Sequence, residues 1–126
     1  MRPVVYDAGA LVAAERGSRG MWADHRVRLE AGSVPVVAAP VLAQVSRSPR
    51  QVQLRRLLRG CDVVALDEEM ANAAGRLLGF AGSSDVVDAV VAHVAQSRGA
   101  DLVTSNRSDI GRLLDAAGAV TGIVDI

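Results

Sequence analysis

The sequence predicts an α/β fold: a mainly parallel sheet of four to five strands with helices on both faces. Three observations predict it. Short Val-rich runs alternate with longer Ala- and Leu-rich segments from one end of the chain to the other, the pattern of β-α repeats. Half of the residues are apolar but only 2% are aromatic, so Val, Leu, Ala and Ile must build the core. Finally, polar or acidic residues stand where the Val-rich runs stop. Right-handed crossovers between parallel strands then cover both faces of the sheet. The 126 residues suffice for one domain with a core, spanning 1–126, and are too few for two.

Pro3 to Tyr6 reads as a short buried strand, and Asp7 opens a helix over Ala8 to Arg16. Ser18 to Ala31 is a second helix, with Met21, Trp22, Val27 and Leu29 among its apolar positions, ended by Gly32-Ser33. Val34 to Ala38 is the second strand. Pro40 suits the first turn of a helix, giving Val41 to Arg47 with Gln44 one turn in. Ser48-Pro49 is an N-cap followed by a tolerated first position, starting a helix to about Arg59 whose Val52, Leu54, Leu57 and Leu58 can face the core.

Cys61 to Leu66 is the third strand. Asp67 caps a helix from Glu68 to Leu78, whose two early glutamates suit the helix dipole. After a loop over 79–82 comes the stretch that organises the chain, Ser83 to Ile110. It holds a polar helix start, a helix too long to be a strand and apolar nearly all round, and Gly99 as its stop. Leu102 to Thr104 is the fourth strand. Ser105 or Asn106 caps a helix to Ala117, and Thr121 to Ile126 is a short last strand.

Composition narrows the function. All fourteen basic residues are arginines, the net charge is zero, and no global field draws the chain to nucleic acid or membrane. Any such binding is local, and the most basic stretch is Arg47, Arg50, Arg55, Arg56 and Arg59. That stretch is either a solvated helix face or a phosphate-contacting patch. The single cysteine, Cys61, excludes an internal disulfide and a Cys-rich zinc site, and its apolar setting suits an inert buried thiol. No signal peptide and no apolar run of membrane-spanning length is present. A cytoplasmic protein without a membrane partner is expected.

The chemistry gathers on carboxylates. In a parallel sheet the carboxyl ends of the strands frame the ligand crevice, which brings Asp7, Asp85, Asp88, Asn106 and Asp109 toward one pocket. Asp85 and Asp88 lie three apart on one helix face, where like charges repel. Capping accounts for Asp7 or Asp85 alone. It accounts less well for Asp88, a carboxylate on a buried helix that needs a partner. A divalent cation answers that need, and hard oxygen donors select Mg²⁺ or Mn²⁺. Carboxylate-held Mg²⁺ commonly serves phosphate chemistry. No GxxxxGK[ST] loop argues for triphosphate hydrolysis. His25 and His93 are isolated, and His93, five residues past Asp88 and off its face, suits a core or structural role.

These residues carry a resemblance. VVYDAGALVAAERG, APVLAQV, SDVVDAVVAHVAQSRGADLVTSN and the following RSDI resemble, in this order and across essentially the whole chain, the PIN-domain nucleases and among them VapC-type toxins of bacterial toxin–antitoxin pairs. The resemblance implies a Rossmann-like, PIN-like sheet, a Mg²⁺- or Mn²⁺-dependent endoribonuclease, a cognate antitoxin that inhibits by binding, and a homodimer. Asp7 and Asp88 match family carboxylates and are the expected catalytic residues and metal ligands. Asp109 matches a further acidic position, and Thr104 a supporting hydroxyl. Gln44 falls where many members carry Glu, and Asn106 where Asp is usual. Amides still offer a carbonyl oxygen to a metal but bring no charge, and Asp85 is a candidate replacement for the missing carboxylate.

The leading expectation is therefore an RNA-cleaving toxin with Asp7, Asp88, Asp85, Asn106 and Asp109 around a metal, supported by Gln44 and Thr104. In it, Arg47, Arg50, Arg55 and Arg56 face the RNA. A degenerate PIN fold that binds a partner protein or RNA without cutting is the second expectation, motivated by Gln44 and Asn106. An unrelated α/β domain with acidic helix caps is the third, and it leaves Asp88 unexplained.

Overall fold

A computed structural model describes residues 1–119 and 121–126. The element order follows the sequence reading throughout: β1 (Val4–Tyr6), α1 (Ala8–Glu15), α2 (Arg19–Glu30), β2 (Val36–Ala38), α3 (Ala39–Val45), α4 (Val52–Leu58), β3 (Asp62–Val64), α5 (Glu68–Ala81), α6 (Val86–Arg98), β4 (Asp101–Thr104), α7 (Arg107–Ala116) and β5 (Ile123–Asp125). The five strands form one sheet in the order β3-β2-β1-β4-β5, and every pairing is parallel.

Strand position explains strand composition. β1 and β2 are buried at every residue, as strands covered on both faces must be, and they are apolar without alternation. β3 is an edge strand, so Asp62 and Val63 are exposed. The fold switches direction at β1, which pairs with β2 on one side and β4 on the other. The crevice of an open α/β sheet lies outside such a switch point. Asp7 follows β1 there, and Thr104 closes β4.

The helices form two groups. α1 packs against α2, α3 and α4, while α5, α6 and α7 pack together, and both groups rest on the sheet. α6 crosses β1, β2 and β4 and buries seven of its residues, Asp88 among them. Its Val content gives it poor intrinsic propensity, so packing holds it in place. Both ends are marked: Asp85 Oδ1 accepts from the Asp88 backbone N–H at 2.9 Å, and Gly99 takes the left-handed conformation, φ 59°, that closes the last turn. Among the described residues no single helix is long and apolar enough to cross a membrane.

Several local expectations need correction. α3 starts and stops two residues early, leaving Arg47 outside it. Ser48-Pro49 does not start α4. The helix begins at Val52 with Gln51 before it, because Gln51 Oε1 accepts from the N–H groups of Arg47 and Ser48 and ties residues 47–51 into a turn. Val52 is then exposed, while Leu54 and Leu57 are buried. On α2, Met21 is buried but Val27 and Leu29 face outward. Cys61 precedes β3 and is half-buried. Its thiol donates to the Leu57 carbonyl at 3.3 Å, and burial pushes its pKa up to about 12, which fits the inert thiol expected.

Beneath α2 lies a buried polar network that the sequence did not announce. The Tyr6 hydroxyl and His25 Nδ1 are 2.8 Å apart, and Arg28 Nη1 donates to the same hydroxyl at 3.2 Å. Arg28 also stacks over the Tyr6 ring at 5.5 Å. Arg28 donates to the Tyr6 hydroxyl, and the His25 tautomer sets which partner donates between Tyr6 and His25. Burial, then the Arg28 charge, holds the His25 pKa below its ordinary value.

Candidate functional site

Asp7 is fixed by two bonds. Its Oδ1 accepts from the Ala8 backbone N–H at 2.7 Å, which makes it the N-cap of α1. Its Oδ2 accepts from the Thr104 hydroxyl at 2.8 Å across 97 positions of sequence. The Asp7 N–H donates to the Val103 carbonyl at 3.0 Å, extending the β1–β4 ladder to the carboxylate itself. Capping and site-building are one arrangement here. Thr104 is fully buried, and its oxygen also accepts from the Asn106 N–H at 3.0 Å, so one hydroxyl orders both Asp7 and the turn into α7.

That turn needs Gly9. A Cβ on Gly9 would fall on Ser105 Oγ, and would stand 2.9 Å from Ser105 Cβ and 3.1 Å from its backbone nitrogen. Only a residue without a side chain lets α1 and the β4–α7 turn approach this closely.

Asp88 arrives on α6. It is 9% exposed and faces three other carboxylates. Burial is the largest cause that raises its pKa to about 7, followed by the charges of Asp85 and Asp7, a hydrogen bond to Asp85, and the charge of Asp109. Asp85, Asp88 and Asp109 line a cleft of about 150 Å³ with Ser83, Ser84 and Arg112. Asp7 stands behind it, near enough to act on Asp88 through its charge.

The other expected residues fall in different places. Asn106 precedes α7 and does not cap it through its side chain. Its Nδ2 donates to Asp109 Oδ2 at 3.1 Å, leaving its carbonyl oxygen as the group able to meet a cation. Gln44 is exposed on α3 and, among the described residues, makes no hydrogen bond to the carboxylates. The arginines do not form one free patch. Arg47 donates to the carbonyls of Ala43 and Ser46. Arg55 holds the Ser46 hydroxyl and the Ser48 carbonyl. Arg56 stacks on Trp22 at 5.2 Å, and Arg50 is exposed. Gly9 and Arg112 carried no site expectation, and Ser105 was expected only as a possible helix cap, a place Asn106 takes. Arg112 was within reach, since it lies three residues after Asp109 on the same helix face.

Among the described residues no three His, Cys, Asp or Glu side chains close into a metal cage. The arrangement suits a cation that keeps most of its water. Mg²⁺ is bound in this way, by one or two carboxylates and several waters. Asp88 is an acceptor-rich group in an acidic cleft whose one basic lining side chain among the described residues, Arg112, is exposed, and its donor chemistry fits Mg²⁺ or Mn²⁺.

Comparison with curated proteins returns no significant match. Three solved structures share the fold across nearly the whole of both chains. VapBC2 from Rickettsia felis bound to a promoter DNA fragment aligns with TM-score 0.72 and 17% identity, covering 98% of each chain. A toxin–antitoxin complex from Klebsiella pneumoniae gives 0.69 and 19%, over 96% of this chain and 95% of that one. DNA-bound VapBC from Salmonella typhimurium gives 0.67 and 17%, over 99% and 98%. The PIN domain matches residues 4–113, which include Asp7, Asp85, Asp88, Asn106 and Asp109, and the chain belongs to the PIN-domain family.

Proposed function

We propose that this chain is a VapC-type toxin, an endoribonuclease dependent on Mg²⁺ or Mn²⁺ and restrained by a cognate antitoxin. The observation that carries the reading is Asp88, a buried carboxylate set among Asp85, Asp7 and Asp109 at the switch point of the sheet. Burying such a group without a cation is unfavourable. The similarity to structures described as toxin–antitoxin complexes supports an antitoxin partner.

Asp7 and Asp88 would hold the cation, with Asp85, Asp109 and the Asn106 carbonyl at the cleft margin. A bound divalent ion supplies a more acidic water and stabilises charge on a reacting phosphate. The residues supply position. Thr104 and the Ala8 N–H each hold one oxygen of Asp7 and fix the orientation of its carboxylate, Asp85 anchors the helix that carries Asp88, and the surrounding core holds both carboxylates in place. Of the arginines proposed to face RNA, Arg50 is exposed with no carboxylate partner among the described residues, while Arg47, Arg55 and Arg56 would have to leave their contacts with the α3–α4 turn and Trp22 to meet the backbone.

The second reading, partner binding without cleavage, is favoured by one observation: the Asn106 amide is bonded to Asp109, so one acidic position is neutral and another is engaged. The test is cleavage of a mixed structured-RNA pool by antitoxin-free protein with Mg²⁺, Mn²⁺ or EDTA, beside Asp7→Ala and Asp88→Ala. Discrete metal-dependent fragments that vanish in both variants support the nuclease. An inactive wild type that still binds RNA or antitoxin supports the second reading.

A further inference from the structure

An acidic cleft that works on RNA has an electrostatic difficulty. The carboxylates that attract a cation repel the phosphate that must reach it. Arg112 is the only basic side chain among the residues that line the cleft. It projects from α7 one turn beyond Asp109, with Nη2 3.7 Å from Asp109 Oδ1, and its side chain is 74% exposed. An exposed pair at that separation contributes little, so the guanidinium is free to exchange Asp109 for a better anion. Asp109 itself already accepts from the Asn106 amide and keeps that donor after the exchange. A guanidinium presents a planar fork of donors that matches two oxygens of a phosphate. Ser83 and Ser84 line the same cleft and extend its polar wall away from Asp88.

We propose that Arg112 is the phosphate-positioning side chain of this cleft. It leaves Asp109 and grips a backbone phosphate of single-stranded RNA, holding the strand against the Asp88 side. The inference rests on the RNA-cleaving reading above and adds to it a residue outside the acidic set. In this role Arg112 acts on the RNA and not on the cation, and the two are separable by experiment.

The test is fluorescence anisotropy of a labelled unstructured oligoribonucleotide in EDTA, where cleavage is stopped, as a function of salt. It compares wild type, Arg112→Ala, Arg112→Lys and Arg98→Ala. Arg98 is a charge control at the far end of α6, where it pairs with Asp62. Arg112→Ala is expected to weaken binding about fivefold to tenfold, the low end for a charge-assisted contact at an exposed position. The log–log salt slope should flatten by about 0.7, the value for one phosphate on a single strand. Arg112→Lys keeps the slope and loses part of the affinity, Arg98→Ala matches wild type, and Mn²⁺ binding to Arg112→Ala is undiminished in calorimetry. Equal affinity and slope for wild type and Arg112→Ala overturn the role of Arg112 and leave the nuclease reading standing. A loss of the same size in Arg98→Ala also overturns it, as an effect of net charge alone. A wild type that neither binds nor cuts RNA overturns both.

Discussion

The Thr104 hydroxyl donates to Asp7 Oδ2 at 2.8 Å and joins the ends of β1 and β4 at a fully buried position. The same oxygen accepts from the Asn106 backbone at 3.0 Å. Thr104→Val keeps the shape and removes both bonds, leaving a carboxylate oxygen and an N–H without partners. A loss of about 1–3 kcal/mol in denaturant unfolding is expected, together with slower RNA cleavage. Thr104→Ser restores most of both.

Asp88 makes stability depend on pH in the direction opposite to an ion-paired carboxylate. Its folded pKa is about 7, raised from 3.8, so between those values the folded state binds more protons than the unfolded one. Stability of the metal-free protein falls as pH rises through this window, and the whole penalty is present above about pH 7. Asp88→Asn removes the titration. It is expected to stabilise the protein in EDTA by about 1–3 kcal/mol at about pH 8, with the gain fading toward pH 4. Urea unfolding of both proteins across that range checks the prediction.

Gly9→Ala places a methyl group against Ser105. The turn that carries Thr104 and Asn106 has to shift, with an expected cost of about 1–3 kcal/mol and a larger proportional loss of cleavage. Ser105→Gly removes the side chain that is struck. The double variant is expected to recover part of the loss, which a double-mutant cycle in thermal unfolding reads directly.

Asn106→Asp replaces the bond to Asp109 with two facing carboxylates. The metal-free protein is expected to lose stability and the metal-bound protein to gain affinity. A melting temperature that is lower than wild type in EDTA and rises more steeply with added Mn²⁺ is the expected signature.

Much of this was legible in the residues. Asp7 and Asp88 stood out because each interrupts an apolar run, and the structure buries both. The twelve elements came in the expected order because Val-rich strands and Ala-rich helices differ in length and period. The start of α4 was misplaced because Ser48-Pro49 is a good helix opening in isolation. Only the contact from Gln51 to the backbone of residues 47 and 48 shows that this signal serves a turn. Gly9 against Ser105 and Tyr6 against His25 are contacts between distant segments, and no local pattern encodes them. The arginine stretch reads as one basic face in sequence, yet its members serve the α3–α4 turn and Trp22 separately.

Asp88 and its neighbours are proposed to hold a divalent cation. Calorimetric titration of Mn²⁺ into wild type, Asp88→Asn and Asp85→Asn tests this most directly. About one ion per wild-type chain is expected, bound more tightly as pH rises and Asp88 loses its proton. Affinity should fall at least about tenfold in Asp88→Asn, and comparably in Asp85→Asn if that carboxylate replaces the one absent at Gln44. Asparagine is an equally good helix cap, so the latter loss would report the charge and not the helix. No binding to wild type, or equal affinity in wild type and Asp88→Asn, would mean that Asp88 does not hold a cation.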